Sequence, residues 1–462
     1  MSNPVSRFFF DPVDAEGDRV PARYRLGTDQ RWWAVPLGAG VALLAVGLVF
    51  LLASGDVPRA LFAYLIAWTF CLSVAIGSLF FVMIQHITKA RWSTTIRRIP
   101  EALAASFPLL ALAGIPILLG MHDLFHWTHH ELYEVGGPEY DAIVAGKRAY
   151  LNVPFFLVRY VLFFGALTWL GHRLYRISVR NDRQPDPENT LKLRKISAYG
   201  IPLAAVVTAF AAYDYLMSLD PHWFSTMFGV YFFAGGWLGA LCLITFLALL
   251  IKKAGLLPEV TAEHLQDMGK FMFAFVVFWT YIAFSQYMLY WYANLPEEIV
   301  WFTKRFTGGW EAVAWSLLLF HFVLPFLILL PRATKRIAPA LATMAVWLLV
   351  VHWVDLWWVA MPAMHVPYEA AHAALQSGGG ELLASLAQVP NPPAPPPAQG
   401  INEMTTGMAI HVVEPHLPLA EMAVWLGLFG LFVGAAMLRL GRHALTPYGD
   451  PYFADSLRFE NV

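Results

Sequence analysis

The chain is poor in cysteine and in charge. Its two cysteines, Cys71 and Cys242, stand alone in separate apolar stretches. No disulfide framework, no CxxC pair for zinc or an iron–sulfur cluster, and no CxxCH site for covalent haem is encoded. Charged residues make up 14% of the 462 residues, where soluble domains carry roughly a quarter. The net charge of −1 gives no reason to expect nucleic acid as a partner. The first 32 residues are polar and mixed in charge, without the basic-then-apolar order of a cleaved signal. The first apolar stretch is therefore expected to act as the insertion signal.

What fills the chain instead is apolar: 58% of its residues. A membrane-crossing helix needs about 20 predominantly apolar residues. Ten such stretches occur, at 33–53, 60–86, 101–121, 152–172, 198–218, 224–251, 271–293, 310–330, 338–361 and 418–438. The expected fold is an all-α polytopic membrane protein. Of the 31 Lys and Arg, 25 fall in the two tails and in every second loop, including Lys89–Arg98 and Arg173–Lys195. Five fall in the other loops and one, Arg159, inside a stretch. The positive-inside rule then places both termini in the cytoplasm.

Two of the outer loops are long. Residues 362–417 contain NPPAPPPAQG (391–400), which cannot form helix or ladder because proline lacks the donor and fixes φ. It reads either as a polyproline segment bracing a partner or as an unstructured linker. Stretches 2–5 and 6–9 each begin and end outside, as two parallel four-helix copies would. Lys195 precedes Asp214 by the same 19 residues that separate Arg336 from Asp355, so both carboxyls are expected about 28 Å from the cytoplasmic charges. The expected units are the tail 1–32, a flanking helix in 33–59, bundles in 60–220 and 221–361, the outer loop 362–417, and a last helix with its tail in 418–462.

The polar residues that interrupt these stretches are the candidates for chemistry, because a charge in the bilayer core costs at least about 2.5–3.5 kcal/mol. Arg159 and Asp214 lie at similar depth and read as a buried pair, either structural or one that tunes a proton site or binds a polar head group. His352 and Asp355 are spaced i, i+3 and share a face, where a carboxylate fixes the imidazole and can exchange a proton with it. His321, Ser285, Gln286, Tyr287, Tyr290 and Glu311 are expected to continue a polar string outward. Haem b between His321 and His352 competes, but Trp347, Trp353, Trp357 and Trp358 crowd that stretch. HDLFHWTHH (122–130) contains i, i+4 histidine pairs that suit zinc; an interfacial helical extension is the better fit.

Three segments carry a resemblance: YDYLMSLDPHWFSTMFGVYFFAGG (213–236), FSQYMLYWYANLPEE (284–298) and FHFVLPFLILLPR (320–332). Together they resemble the NrfD-like, polysulfide-reductase-type membrane subunits, and most closely the shorter such subunit of bacterial alternative complex III. The likeness spans nearly the whole chain. It implies two four-helix bundles plus two flanking helices in a bacterial cytoplasmic membrane. It implies a quinol:cytochrome c oxidoreductase in which this subunit supplies a proton pathway, or alternatively binds quinol. The implied partners are a larger NrfD-like subunit, multihaem and monohaem cytochromes c, an iron–sulfur protein and a terminal oxidase. Haem c and clusters would belong to those partners, with no cofactor covalently bound in this chain. Asp214, Asp220 and His222 match the family's polar string, and His321, His352 and Asp355 match it less closely. A secondary transporter would instead be marked by broken helices, for which Gly114–Pro116, Gly200–Pro202 and Gly235–Gly236 are the candidates, and a scaffold by inert packing.

Overall fold

A computed structural model describes Tyr24, Leu26, residues 32–364, Pro415 and residues 417–460. The remainder of the expected N-terminal tail and the Pro-rich segment 391–400 lie outside the described residues. Among the described residues the chain is helical, with no strand. Ten helical segments are long and apolar enough to cross a membrane: α1 (Ala34–Ala53), α2 (Val57–Ile87), α3 (Arg98–Leu119), α4 (Val153–Arg183), α5 (Pro187–Leu219), α6 (Phe228–Lys253), α7 (Ala262–Ala293), α8 (Trp310–Leu329), α9 (Ala338–Ala363) and α10 (Leu419–Leu440). They coincide one for one with the ten apolar stretches.

Local chemistry sets where they begin. Asp56 caps α2 by accepting from the Arg59 amide, Asn152 caps α4 through the Phe155 amide, and Asp186 caps α5 through the Glu188 amide. Each is followed by a proline in the first turn, where its missing N–H costs nothing. Thr261 and His264 close a capping box on α7. The basic segment 173–195, expected as a loop, is instead helix on both sides of residues 184–186. Its Arg, Lys and Leu residues are good helix formers, and hydropathy alone does not register a helix that runs on into water.

α3 is not a single rod. It divides into Arg98–Ala104, Phe107–Ala113 and Ile115–Leu119. Pro108 and Pro116 remove donors just after each break. The following residues form a single turn, Met121–Leu124, and a 3-10 turn, His126–Thr128. The expected helical extension through 122–130 is therefore absent. Instead His129 stacks on His122 at 4.1 Å between ring centroids and its Nε2 meets the His122 carbonyl at 3.0 Å. Of the three candidate helix breaks, only Gly114 is one: α5 runs unbroken through Pro202, and Gly235 and Gly236 lie inside a continuous α6.

α2 is buried along its whole spanning length and α6 nearly so. They pack against each other, and α5 and α9 each pack against both. α4 lies on α5, α7 on α6, and α8 on α7 and α9. α1 packs along α10, which itself rests on α2. Small residues allow the central contact, as they do where lipid gives no hydrophobic drive between helices. A Cβ on Gly77 would stand 2.5 Å from the Gly236 carbonyl oxygen, and one on Gly236 2.7 Å from that of Ser73.

Candidate functional site

α9 presents His352 and Asp355 to α6, α7 and α2, and all of these groups are buried. Gly235 and Gly239 on α6 make room for the imidazole. A Cβ at Gly235 would lie 2.7 Å from His352 Cε1, and one at Gly239 3.2 Å from Cδ2. His352 Nε2 is 3.0 Å from the Ser73 hydroxyl on α2, which donates to the Phe70 carbonyl at 2.8 Å. Asp355 accepts from the Tyr231 hydroxyl through Oδ1 and from Trp279 Nε1 at 3.2 Å through Oδ2. His352 Nδ1 is 4.0 Å from Asp355 Oδ2. Among the described residues no Lys or Arg pairs with this carboxyl. It has two neutral donors and a histidine for company, and no fixed cation.

His321 reaches the same cluster from α8. That helix is α-helical over Trp310–Leu317, π-helical over Leu318–Val323 and α-helical again over Leu324–Leu329. Pro325 has no N–H to return to the carbonyl of residue 321, which favours the widened turn. The ring of His321 is fully buried, 3.7 Å from Trp279 between centroids and nearly perpendicular to it. Neither ring nitrogen has a hydrogen-bond partner. Trp279 therefore touches both His321 and Asp355. With that indole filling the space and His352 Nε2 committed to Ser73, the residues do not fit a haem held between the two histidines.

Asp214 is handled differently. Arg159 donates to it through Nε at 2.7 Å and Nη2 at 3.0 Å, and Tyr150 adds its hydroxyl at 2.8 Å. Arg159 Nη1 donates to the Tyr150 carbonyl at 2.9 Å, and the guanidinium lies 3.9 Å from the Tyr150 ring centroid. The pair is closed on every side.

The turn between α5 and α6 is clamped by two other segments. Lys304 reaches Asp220 at 2.5 Å and Arg305 at 3.5 Å, both from the short helix Pro296–Arg305. Arg305 also donates to the carbonyls of Trp301 and Val359. Burial pushes Arg305 down to about 10, against the pull of Asp220, so it stays cationic at neutral pH. His222 pairs with Asp141 at 2.5 Å, and Lys147 donates to the Pro221 carbonyl. Burial works against ionisation of Asp141, but the Val144 amide and His222 outweigh it and hold the carboxyl below its usual range.

The polar string expected to run outward through Gln286, Tyr290 and Glu311 does not form as one chain. Tyr290 donates to the Phe224 carbonyl, and Glu311 turns back to accept from the Gly309 amide. Only Gln286 is buried, seven residues beyond Trp279 on the same helix face, with Nε2 unpartnered. Ser73, Tyr231 and Trp279 were not singled out from the sequence, although Tyr231 lies within the segment 213–236. Also missed was an ionic network at the basic end. There Arg97 and Arg98 meet Glu101, Asp182 and Asp450, and Tyr175 meets His443 at 2.8 Å. Its one legible signal was Glu101, a carboxylate at the head of an apolar run.

An apolar groove of about 530 Å³ lies between α1, α6 and α10, lined by Val35, Phe246, Leu250 and Val433 among others. Among the described residues no group of three or more His, Cys, Asp or Glu is placed to hold a metal. No family model matches the chain, and no curated protein matches it.

Proposed function

We propose that the chain is the shorter NrfD-like membrane subunit of a respiratory quinol:cytochrome c oxidoreductase in a bacterial cytoplasmic membrane, and that it carries protons rather than electrons. In this reading both termini are cytoplasmic. Helices α2–α5 and α6–α9 are the two four-helix bundles, and α1 and α10 flank them. The larger NrfD-like subunit, the cytochromes c and the iron–sulfur protein hold the redox centres. The three segments named above support the family, and the mutual packing of α2, α5, α6 and α9 suits two related halves.

One observation supports the proton role above the others: Asp355 is buried beside His352, with Trp279 between it and His321, and among the described residues no cation holds its charge. Protonating Asp214 would leave Arg159 a bare cation in the membrane, at a cost of about 2.5–3.5 kcal/mol or more. Protonating the His352–Asp355 pair removes a buried negative charge instead. Electrostatics thus favours Asp355 as a carrier and Asp214 as a structural ion pair. The 4.0 Å gap to His352 Nδ1 is one that a carboxyl rotation closes.

Direct quinol binding has less support, because quinol oxidation needs an acid–base group at the head group and the groove between α1, α6 and α10 is lined by apolar side chains. The test is purification in mild detergent followed by reconstitution of the whole complex into vesicles. Co-purification with c-type cytochromes is expected, and Asp355→Asn should lower the protons released per electron while quinol oxidation continues. Isolation free of cytochromes, or an unchanged proton yield in the variant, would overturn the proposal.

A further inference from the structure

Ser73 lies on α2, outside the expected second bundle, yet it supplies the hydrogen-bond partner of His352 Nε2 at 3.0 Å. A serine hydroxyl has one proton to give. Ser73 gives it to the Phe70 carbonyl, one turn back on its own helix, at 2.8 Å. With the proton used in that shorter contact, the hydroxyl turns a lone pair toward His352, an arrangement satisfied by a hydrogen on Nε2. In a neutral imidazole that leaves Nδ1 as a bare lone pair, and Nδ1 is the nitrogen that faces Asp355 Oδ2 at 4.0 Å, with no other partner. The ring has little freedom to escape this choice, because α6 approaches it at Gly235 and Gly239 and Phe70 lies 5.3 Å away between centroids.

We propose that Ser73 is a positioning residue that fixes His352 as its Nε2–H tautomer, so that Nδ1 stays open to receive a proton from the Asp355 carboxyl. The consequence for transport rests on the proton-carrying reading above; the tautomer itself does not. When Asp355 is protonated, its O–H bond breaks and an Nδ1–H bond forms. The carboxylate left behind keeps its hydrogen bonds from Tyr231 and Trp279. The reverse step restores the neutral pair. A hydrogen already on Nδ1 would block this exchange, since the imidazole would then be a donor facing the group that must donate to it.

The experiment is solid-state NMR on the full chain in lipid bilayers, with ring-15N histidine and His352 assigned by difference against His352→Gln. The wild-type spectrum should show a protonated Nε2 and a pyridine-type Nδ1, a result that needs no variant to fold. In Ser73→Ala the hydrogen should move to Nδ1, where Asp355 then accepts it, and proton release per electron in the reconstituted complex should fall. A protonated Nδ1 in the neutral wild type, or an unchanged tautomer in Ser73→Ala, would overturn the assignment. A tautomer that switches while proton release holds steady would keep the role of Ser73 and remove the proton-carrying reading instead.

Discussion

Arg159 grips Asp214 through two nitrogens, at 2.7 and 3.0 Å, whereas Asp355, which follows Arg336 by the same 19 residues that separate Asp214 from Lys195, has no such cation among the described residues. Two carboxyls that hydropathy treats alike are thus in opposite electrostatic states. One completes a neutral pair with a guanidinium, and the other is met by a phenol, an indole and an imidazole.

The first prediction contrasts their removal. Breaking a buried pair by deleting one partner costs about 3–5 kcal/mol, so Arg159→Ala should lower the thermal midpoint in detergent markedly. Arg159→Leu combined with Asp214→Leu should recover most of that loss. Asp355→Asn, which removes no counter-ion, should leave the midpoint near wild type. Equal losses in Arg159→Ala and Asp355→Asn would contradict the division of roles.

Acid should loosen the basic end. His443 lies outside the spans, and burial, aided by Arg98 and Arg183, pushes it down from 6.5 to about 3. A histidine kept neutral when folded gains its proton on unfolding. The unfolded chain therefore binds more protons between pH 6.5 and 3, and stability falls as pH drops through that window. Each pH unit there costs at most about 1.4 kcal/mol. Asp141, held below its usual range, adds a loss of the same sign at more acid pH. Unfolding midpoints measured from pH 7 to 5 should decline, and His443→Gln should flatten the decline.

Helix approach at the centre gives a third prediction. Gly77→Ala places a Cβ 2.5 Å from the Gly236 carbonyl oxygen, and backbone cannot yield as a side chain does. A loss of about 1–3 kcal/mol is expected. Gly38→Ala, with nothing within 4 Å, is the matched control and should be neutral or slightly stabilising. Thermal unfolding of the two variants side by side decides it.

The π turn around His321 invites a fourth. Pro325→Ala restores an N–H able to bond the residue 321 carbonyl, so α8 should relax toward α-helix and gain stability. His321 would then rotate away from Trp279. The expected outcome is a raised thermal midpoint together with reduced proton release per electron in the reconstituted complex. A gain in stability with unchanged release would show that the widened turn has no functional role.

Much of the architecture was legible beforehand. The ten spans could be read because each is a long run of apolar residues between polar ones, a signal that needs no knowledge of neighbours. His352 and Asp355 could be paired because i, i+3 spacing on a helix is a local rule. Arg159 and Asp214 could be paired because both break apolar runs at one depth. The extension of α4 and α5 past the membrane was not visible to hydropathy, since a charged helix and a charged loop have the same composition. Tyr290 and Glu311 were placed on a common string by depth alone, and depth does not say which way a side chain turns.

Ten long apolar runs and the few polar residues that break them are enough to read a multi-pass helical membrane protein, because the cost of placing polar groups in lipid is written residue by residue. How those residues differ in kind came from the packing of the helices. Whether a carboxyl meets a guanidinium, a phenol or an indole depends on which helices touch, and that is set by the close approach of α2 and α6 at Gly77 and Gly236. Ser73 became part of the site only because that contact carries it across to His352.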